Sequence, residues 1–207
     1  MSTRQEEDVG KKVEELEKLY EETISAWANS IDDKTSYTKE HSNKVRRYAE
    51  AIGTRLYLSE DEMRTLSVAS ILHDIGKQDI DPNILNKPGP LTSEEYNLVK
   101  THSAKGASVL RSIDMLKSAT GAVHHHHERY DGYGYPSGLK GEEIPYLARI
   151  LAVADAFDAM TSERPYKPKK SIHEAIIELQ DNSGTQFDPE ITDAFIHVLR
   201  ANPGITT

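Results

Sequence analysis

The stretch SEDEMRTLSVASILHDIGK, residues 59–77, predicts a helix with a histidine–aspartate pair near its end. Ser59 and Glu62 form the capping-box pattern that opens a helix, because each side chain can bond the backbone NH of the other. We expect this helix to end near Gly76, shortly after the His73–Asp74 pair. Its apolar residues recur at the helical period, at Met63, Leu66, Ala69 and Leu72.

Helical patterns continue on both sides of this stretch. A long leading helix is predicted from Val9 to Ile31, and a second helix from Ser36 to about Leu58. A later helix is expected to break around His102–Gly106, and segments 81–90 and 130–145 contain the prolines and glycines of loops. The apolar stripe of the leading helix has a charged outer face opposite it and consists of Val13, Leu16, Leu19, Ile24, Trp27 and Ile31.

The end of the chain is helical as well. Further helices fit Met115–His127 and the segment from Pro145 to about Met160, and Asp188 followed by Pro189 is typical of a helix start. No strong strand pattern or repeat interrupts the series. The sequence therefore predicts an all-α helical bundle, with residues 1–35 as a leading helix or connector and residues 36–207 as the main domain.

Composition limits the partners of this chain. The net charge is −9, from 25 basic and 34 acidic residues, which argues against binding a nucleic acid polymer. No apolar run has the roughly 20 residues of a membrane span, and the first residues lack the features of a secretory signal. The absence of cysteine excludes disulfides and thiolate metal sites, and suits a cytoplasmic protein.

Histidines and aspartates on or beside the predicted helices form a candidate metal site. Imidazole and carboxylate together suit iron, manganese, zinc or nickel. Neighbouring residues on a helix diverge by about 100°, so a histidine–aspartate pair can give one ligand to one ion and a bridging carboxylate to two. The residues concerned are His41, His73, Asp74, His102, His126, His127 and Asp155.

The motifs around these residues resemble a known family. HDIGK (73–77) resembles the signature of the HD phosphohydrolase superfamily, and HHERYDGYGYP (126–136) resembles the motif that defines its HD-GYP subgroup. The likeness covers roughly residues 36–199, and the chain is identified as a member of the HD-GYP family. Four more segments resemble the family in order: YTKEHSNKV (37–45), NKPGPLTSEE (86–95), ARILAVADAFDAMTSERPYK (148–167) and GTQFDP (184–189).

The resemblance implies an HD-domain bundle whose seven histidines and aspartates named above are metal ligands, with Asp74 as the bridge. It also implies a metal-dependent phosphodiesterase that hydrolyses cyclic di-GMP inside a bacterial cell. Ser103 departs from the proline that many relatives carry after the third histidine, and His124 and His125 precede the motif and are not expected to be ligands. The expected ions are iron or manganese, with zinc, nickel or magnesium as alternatives.

Other residues receive roles from the same resemblance. Lys77 is expected to contact the scissile phosphate or the attacking hydroxide; the alternative is a solvated lysine at a helix end. Arg164 and Lys167 are expected to contact the second phosphate or a guanine, with a surface-charge role as the alternative. Tyr135 is expected to hydrogen-bond to the ligand or stack on it. The loop that carries it, residues 130–145 and called the GYP loop below, is alternatively a docking surface for a diguanylate cyclase domain or a tight turn that shapes the pocket.

One departure bears on the number of ions. Some relatives carry a glutamate at the position of Tyr37 that helps to hold a third metal, and a phenol is a poorer ligand near neutral pH. We therefore predict two ions and the linear dinucleotide pGpG as main product. The other hypotheses are a catalytically weak domain that binds cyclic dinucleotides and docks partners, and a phosphodiesterase for cyclic GMP-AMP. The leading helix is a candidate for homodimerisation.

Overall fold

This computed structural model describes residues 3–32, 40–163 and 168–206. Most of these residues belong to helices, which are joined by turns and loops. Within these ranges the only β-type pairing is an isolated bridge between Ser183 and Phe187. The all-α prediction is therefore confirmed. The α-helices of the described residues are α1 (Thr3–Asp32), α2 (His41–Arg55), α3 (Glu60–Leu72), α4 (Pro82–Leu85), α5 (Ser93–Arg111), α6 (Thr120–His125), α7 (Tyr146–Thr161), α8 (Ile172–Asp181) and α9 (Pro189–Ala201).

Side-chain caps begin several of these helices where the sequence predicts them. Ser59 and Glu62 exchange the two hydrogen bonds of a capping box at α3. The Asp188 side chain accepts from the backbone at the start of α9, with Pro189 as the first helical residue. Because these caps satisfy NH groups that a helix leaves unpaired, they fix where each helix starts.

The core is organised around α2, which packs against α3, α7 and α9. At its centre Tyr48 meets Phe157 edge to face, with 5.0 Å between the ring centroids, and Phe157 meets Phe195 in the same way at 5.0 Å. All three rings are buried. Such aromatic contacts fix the orientation of α7 against α2, and both helices carry predicted site residues.

Three predicted helix boundaries are wrong. The helix α3 ends at Leu72, and a 3₁₀ turn, Ile75–Asp79, follows it. The predicted helix Met115–His127 is divided into a 3₁₀ turn, Asp114–Ala119, and α6. The expected break near residues 102–106 is absent, since α5 continues through them, and the start predicted for the second helix, residues 36–39, lies outside the described residues.

Two glycines allow the 3₁₀ turn after α3 to pack closely on α5. Gly106 of α5 faces the 3₁₀ turn after α3, and a Cβ atom on Gly106 would lie 3.1 Å from the side chain of Ile75. A Cβ atom on Gly76 would lie 2.0 Å from the carbonyl oxygen of His102. Glycine at position 76 thus lets the turn that carries Asp74 approach α5 closely.

The leading helix is only half packed. Ile24 and Ala28 of α1 are buried, but Val13, Leu16 and Leu19 are 48–65% exposed, so only the second half of the apolar stripe packs on the core. The described helices include none with the length and apolar character of a membrane span. Homodimerisation through α1 and the domain boundary near residue 35 stay predictions.

We predict that Gly76→Ala destabilises the protein, because the added methyl group collides with main-chain atoms that cannot rotate away. Overpacking of this kind costs about 1–3 kcal/mol, measurable as the free energy of unfolding in urea. Gly10→Ala is the matched control, because nothing lies within 4 Å of a Cβ atom there. It should leave stability unchanged or raise it. Equal stability of both variants would contradict the close contact.

Candidate metal centre

Three side chains from distant parts of the sequence bring donor atoms together at one point. His41 is the first residue of α2, His73 directly follows α3, and Asp155 lies on α7. Their donor atoms all lie within 4.8 Å of one another. Nε2 of His41 is 3.3 Å from Nε2 of His73 and 3.5 Å from Oδ1 of Asp155. We call this group the first trio.

A second trio consists of His102, His126 and His127. His102 comes from the middle of α5, and the other two follow each other at the end of α6. Their donor atoms also lie within 4.8 Å of one another, and Nε2 of His102 is 3.4 Å from Nε2 of His126. His126 is buried and His127 is partly exposed, so this trio opens toward the surface on the His127 side.

The carboxylate of Asp74 lies between the two trios. Its Oδ2 is 3.5 Å from Nε2 of His73 and 4.0 Å from Nε2 of His41, whereas its Oδ1 is 3.4 Å from Nε2 of His102. Within the described residues, Oδ1 is buried and has no hydrogen-bond partner. One oxygen toward each trio is the arrangement of a bridging ligand, and an unsatisfied buried oxygen is where a cation would fit.

Hydrogen bonds at Nδ1 of four of the five rings aim their Nε2 atoms inward. Nδ1 of His73 lies 2.8 Å from the carbonyl oxygen three residues before it, and His102 and His126 make the same contact at 2.7 Å. Nδ1 of His41 instead lies 2.6 Å from Oδ2 of Asp158. Protons assigned to Nδ1 leave the Nε2 lone pairs free for a metal. The residues therefore fit divalent cations.

Burial keeps the second trio in the form that binds metal. It lowers the pKa of His102 to about 4 and the pKa of His126 to about 3, and it holds the pKa of His127 well below its usual range. These rings are neutral near pH 7 and carry a free lone pair. Neutral imidazole is the form that ligates cations.

At His41 of the first trio and at the bridging Asp74, neighbouring charges outweigh the effect of burial on the pKa. Burial lowers the pKa of His41, but the hydrogen bond to Asp158 and the charges of Asp155 and Asp74 outweigh it, so the pKa is raised. Burial likewise raises the pKa of Asp74, but the charges of Lys77 and of neighbouring histidines hold it well below its ordinary value. Asp74 is therefore a carboxylate at every physiological pH.

Lys77 is part of this centre rather than a solvated lysine. The residue is buried, and its Nζ donates to Oδ2 of Asp74 at 2.5 Å. The solvated alternative is therefore wrong. Its contact with a substrate phosphate stays a prediction.

The GYP loop lies against the second trio. The ring of Tyr135 is 4.9 Å from the ring of His127, at an angle of 33°, and its backbone NH donates to the carbonyl oxygen of His127 at 3.2 Å. A Cβ atom on Gly134 would lie 2.3 Å from the backbone nitrogen of Arg129, so only glycine permits this approach. Backbone bonds from Tyr130 and Asp131 also tie the loop to the segment before α9.

A cavity of about 330 Å³ adjoins the trios. It borders both trios, since His126, His127 and Asp155 line it. Arg129 and Gln186 also line it. Its volume lies at the lower end of the range for small-molecule sites. The cavity therefore gives a ligand held at the trios room to extend beside α7.

The remaining predicted residues are not all at this centre. Arg164, Lys167 and Tyr37 lie outside the described residues, so their roles stay predictions. His124 and His125 belong to neither trio; their rings meet edge to face with 4.5 Å between centroids.

Two buried acidic residues beside the trios, Asp158 and Glu128, were not predicted from the sequence. Asp158 orients His41 and also accepts from the hydroxyl of Ser162 at 2.9 Å. Its signal was the spacing of three from Asp155, which places both carboxylates on one face of α7. Glu128 is the second; it directly follows the second trio and binds the GYP loop.

The fold and this centre define a class: an all-helical domain with a buried histidine–aspartate metal-binding site. A sequence model of the family described as HD domain matches residues 25–191. The chain belongs to the HD domain family, and the recognition made from the motifs is confirmed.

The relatives cover most of this chain, which spans about half of their length or less. The cyclic di-GMP phosphodiesterase response regulator RpfG of Xanthomonas campestris is 41% identical over 88% of this chain and 49% of its own. A cyclic di-GMP phosphodiesterase of Thermotoga maritima is 42% identical over 77% and 44%. The 3'3'-cGAMP-specific phosphodiesterase 3 of Vibrio cholerae is 36% identical over 87% and 39%.

Solved structures support the fold. The crystal structure of a cyclic GMP-AMP-specific phosphodiesterase of V. cholerae, V-cGAP3, superposes with a TM-score of 0.70 at 25% identity, covering 89% of this chain and 49% of that one. The predicted HD-domain bundle is therefore confirmed.

We predict that the metal-free protein loses stability as the pH falls from about 6.5 toward 4. The folded-state pKa values of His102 and His126 lie below the unfolded value of 6.5, so the unfolded chain binds more protons in this window. Each such group then costs up to about 1.4 kcal/mol per pH unit. The raised pKa of His41 acts in the opposite direction, and is outnumbered.

Urea unfolding in EDTA between pH 7.5 and 4.5 measures this dependence. His102→Gln should make the slope shallower, because it removes one titrating ring, whereas His173→Gln, at an exposed position of α8, should leave it unchanged. A slope that is identical in all three proteins would contradict the lowered pKa of His102.

Proposed function

We propose that this domain is a metal-dependent phosphodiesterase that hydrolyses cyclic di-GMP to pGpG. The observation that carries the proposal is the pair of trios with the Asp74 carboxylate between them. The names of the relatives from X. campestris and T. maritima support the substrate class.

Two divalent cations are proposed, one at each trio, with iron or manganese favoured by the mixed imidazole and carboxylate donors. Zinc, nickel and magnesium are the alternatives. Cations held there would supply Lewis-acid chemistry, because they make a water nucleophile available near neutral pH and polarise phosphate oxygens. A third ion is not proposed, since Tyr37 replaces the glutamate that some relatives carry.

The residues around the trios have separate tasks in this proposal. Lys77 neutralises charge on the scissile phosphate and holds Asp74 as the bridging carboxylate. Tyr135 offers a ring face to one purine base, as aromatic side chains do in nucleotide recognition. Arg164 and Lys167 contact the second phosphate or a guanine. The buried His102 and His126 keep water away from the inner side of the centre.

Cyclic GMP-AMP is the second candidate substrate. A relative from V. cholerae that is 36% identical is named as specific for 3'3'-cGAMP. The two substrates differ in one purine, so the same trios serve either one. Two further hypotheses involve the trios and the GYP loop. One is a module that binds cyclic dinucleotides without hydrolysing them, and the other is docking of a diguanylate cyclase domain on the GYP loop, where Tyr133 is 87% exposed.

The test is turnover of cyclic di-GMP and cyclic GMP-AMP by protein reconstituted with Fe(II) or Mn(II), with pGpG and GMP resolved. We expect cyclic di-GMP hydrolysis with pGpG as main product. The double variant His73→Ala/Asp74→Ala should lose at least about a thousandfold in kcat, because several kcal/mol of transition-state stabilisation disappears. His173→Ala is the control, since that side chain is exposed and far along the chain on α8.

Other outcomes would redirect the proposal. Faster hydrolysis of cyclic GMP-AMP would favour the second substrate. GMP as main product would contradict the prediction, made from Tyr37, that the site holds two ions. No hydrolysis by folded, metal-loaded protein, together with binding of cyclic di-GMP, would favour the binding module.

A further inference from the structure

Glu128 is a buried carboxylate that lies outside both trios and has no role in the chemistry described above. Its side chain is 0% exposed. Its Oε1 accepts from the backbone NH groups of Ser137 and Gly138, at 2.7 and 3.1 Å, and its Oε2 is buried with no hydrogen-bond partner in the described parts of the chain. A buried carboxylate is costly unless other groups compensate it. Here the two loop NH groups do so, together with the ring of His125, whose Nδ1 lies 3.5 Å from Oε1.

The two bonds lie directly after the tip of the GYP loop. Before Tyr135, the backbone of Gly134 packs on Glu128 itself, where a Cβ atom would be 2.4 Å from the Cα of Glu128. At Tyr135, the backbone NH bonds to His127, and the ring lies against the imidazole of His127. After Tyr135, Ser137 is held by Glu128. The loop therefore reaches the second trio with Tyr135 fixed on both sides.

We propose that Glu128 is a positioning residue: it holds Tyr135 over His127 and so sets the affinity for one purine base of the cyclic dinucleotide. This inference rests on the proposed function, because the base is that of the proposed substrate. Glu128 itself touches no substrate. Its effect passes through Tyr135, which is partly exposed and whose ring centroid also lies 6.0 Å from Nζ of Lys100.

A double-mutant cycle tests this coupling in the manganese-loaded protein. Glu128→Ala should raise KM for cyclic di-GMP about tenfold, the value of one base–aromatic stacking contact, with little change in kcat. In the Tyr135→Ala background, Glu128→Ala should raise KM only slightly further. Glu128→Gln keeps an acceptor oxygen for both NH groups and should restore a KM close to that of the wild type. If Glu128→Ala fails to fold, Glu128→Gln and Glu128→Leu carry the cycle.

The control is Glu143→Ala. Glu143 also accepts from a backbone NH of the same loop, that of Lys140 at 3.1 Å, but at the exposed far end of the loop. Glu143→Ala should leave KM unchanged. Hydrogen exchange of the backbone amides of residues 133–138 adds a readout without turnover: exchange should be faster in Glu128→Ala and unchanged in Glu143→Ala.

The outcomes separate this inference from the proposed function. Additive costs of Glu128→Ala and Tyr135→Ala, or a loss confined to kcat, would overturn the positioning role. If the wild type binds cyclic di-GMP but hydrolyses neither substrate, the proposed activity is wrong. The same double-mutant cycle, measured as Kd values by calorimetry, then tests the positioning role of Glu128. If cyclic di-GMP neither binds nor reacts, both proposals are wrong.

Discussion

The buried carboxylate of Asp74 is the group on which the centre depends. A single charge in a protein interior costs several kcal/mol unless other groups compensate it. Here Lys77 donates to one oxygen, and the other oxygen faces Nε2 of His102 with no hydrogen bond among the described residues. The compensation is therefore incomplete on the side of the second trio, and cations held at the two trios would complete it. Metal binding at this residue would then also stabilise the fold.

The helices around Asp74 are arranged so that their ends meet there. His41 begins α2, His73 follows α3 and His126 follows α6, so helix termini rather than helix faces deliver most of the histidines. Such an arrangement tolerates little displacement, because each ring is also fixed by a bond at Nδ1. The close contact at Gly76 has the same consequence for the turn that carries Asp74. A rigid centre of this kind would hold cations in one geometry, as the proposed hydrolysis of a phosphodiester requires.

The sequence predicted the helices and the identity of the seven clustered residues, because both leave local signals. Apolar spacing and capping boxes mark helices such as α3, and the motifs around His73 and His126 mark the site. What it did not predict depends on contacts between distant segments. The exposure of Leu16 on α1 and the unbroken α5 at Gly106 follow from what packs against each position. The role of Asp158 follows from its contact with His41, which is far away in sequence. The role of Glu128 follows from its bonds to backbone NH groups of the GYP loop, which the side-chain pattern does not reveal.

The central claim is that two cations bind here, one at each trio, with Asp74 between them. Anomalous diffraction from crystals of the manganese-loaded protein tests it most directly. The account predicts two peaks about 3.5–4 Å apart, the spacing of two-metal hydrolases, one beside His41, His73 and Asp155 and the other beside His102, His126 and His127. A single peak, or peaks away from Asp74, would contradict the account.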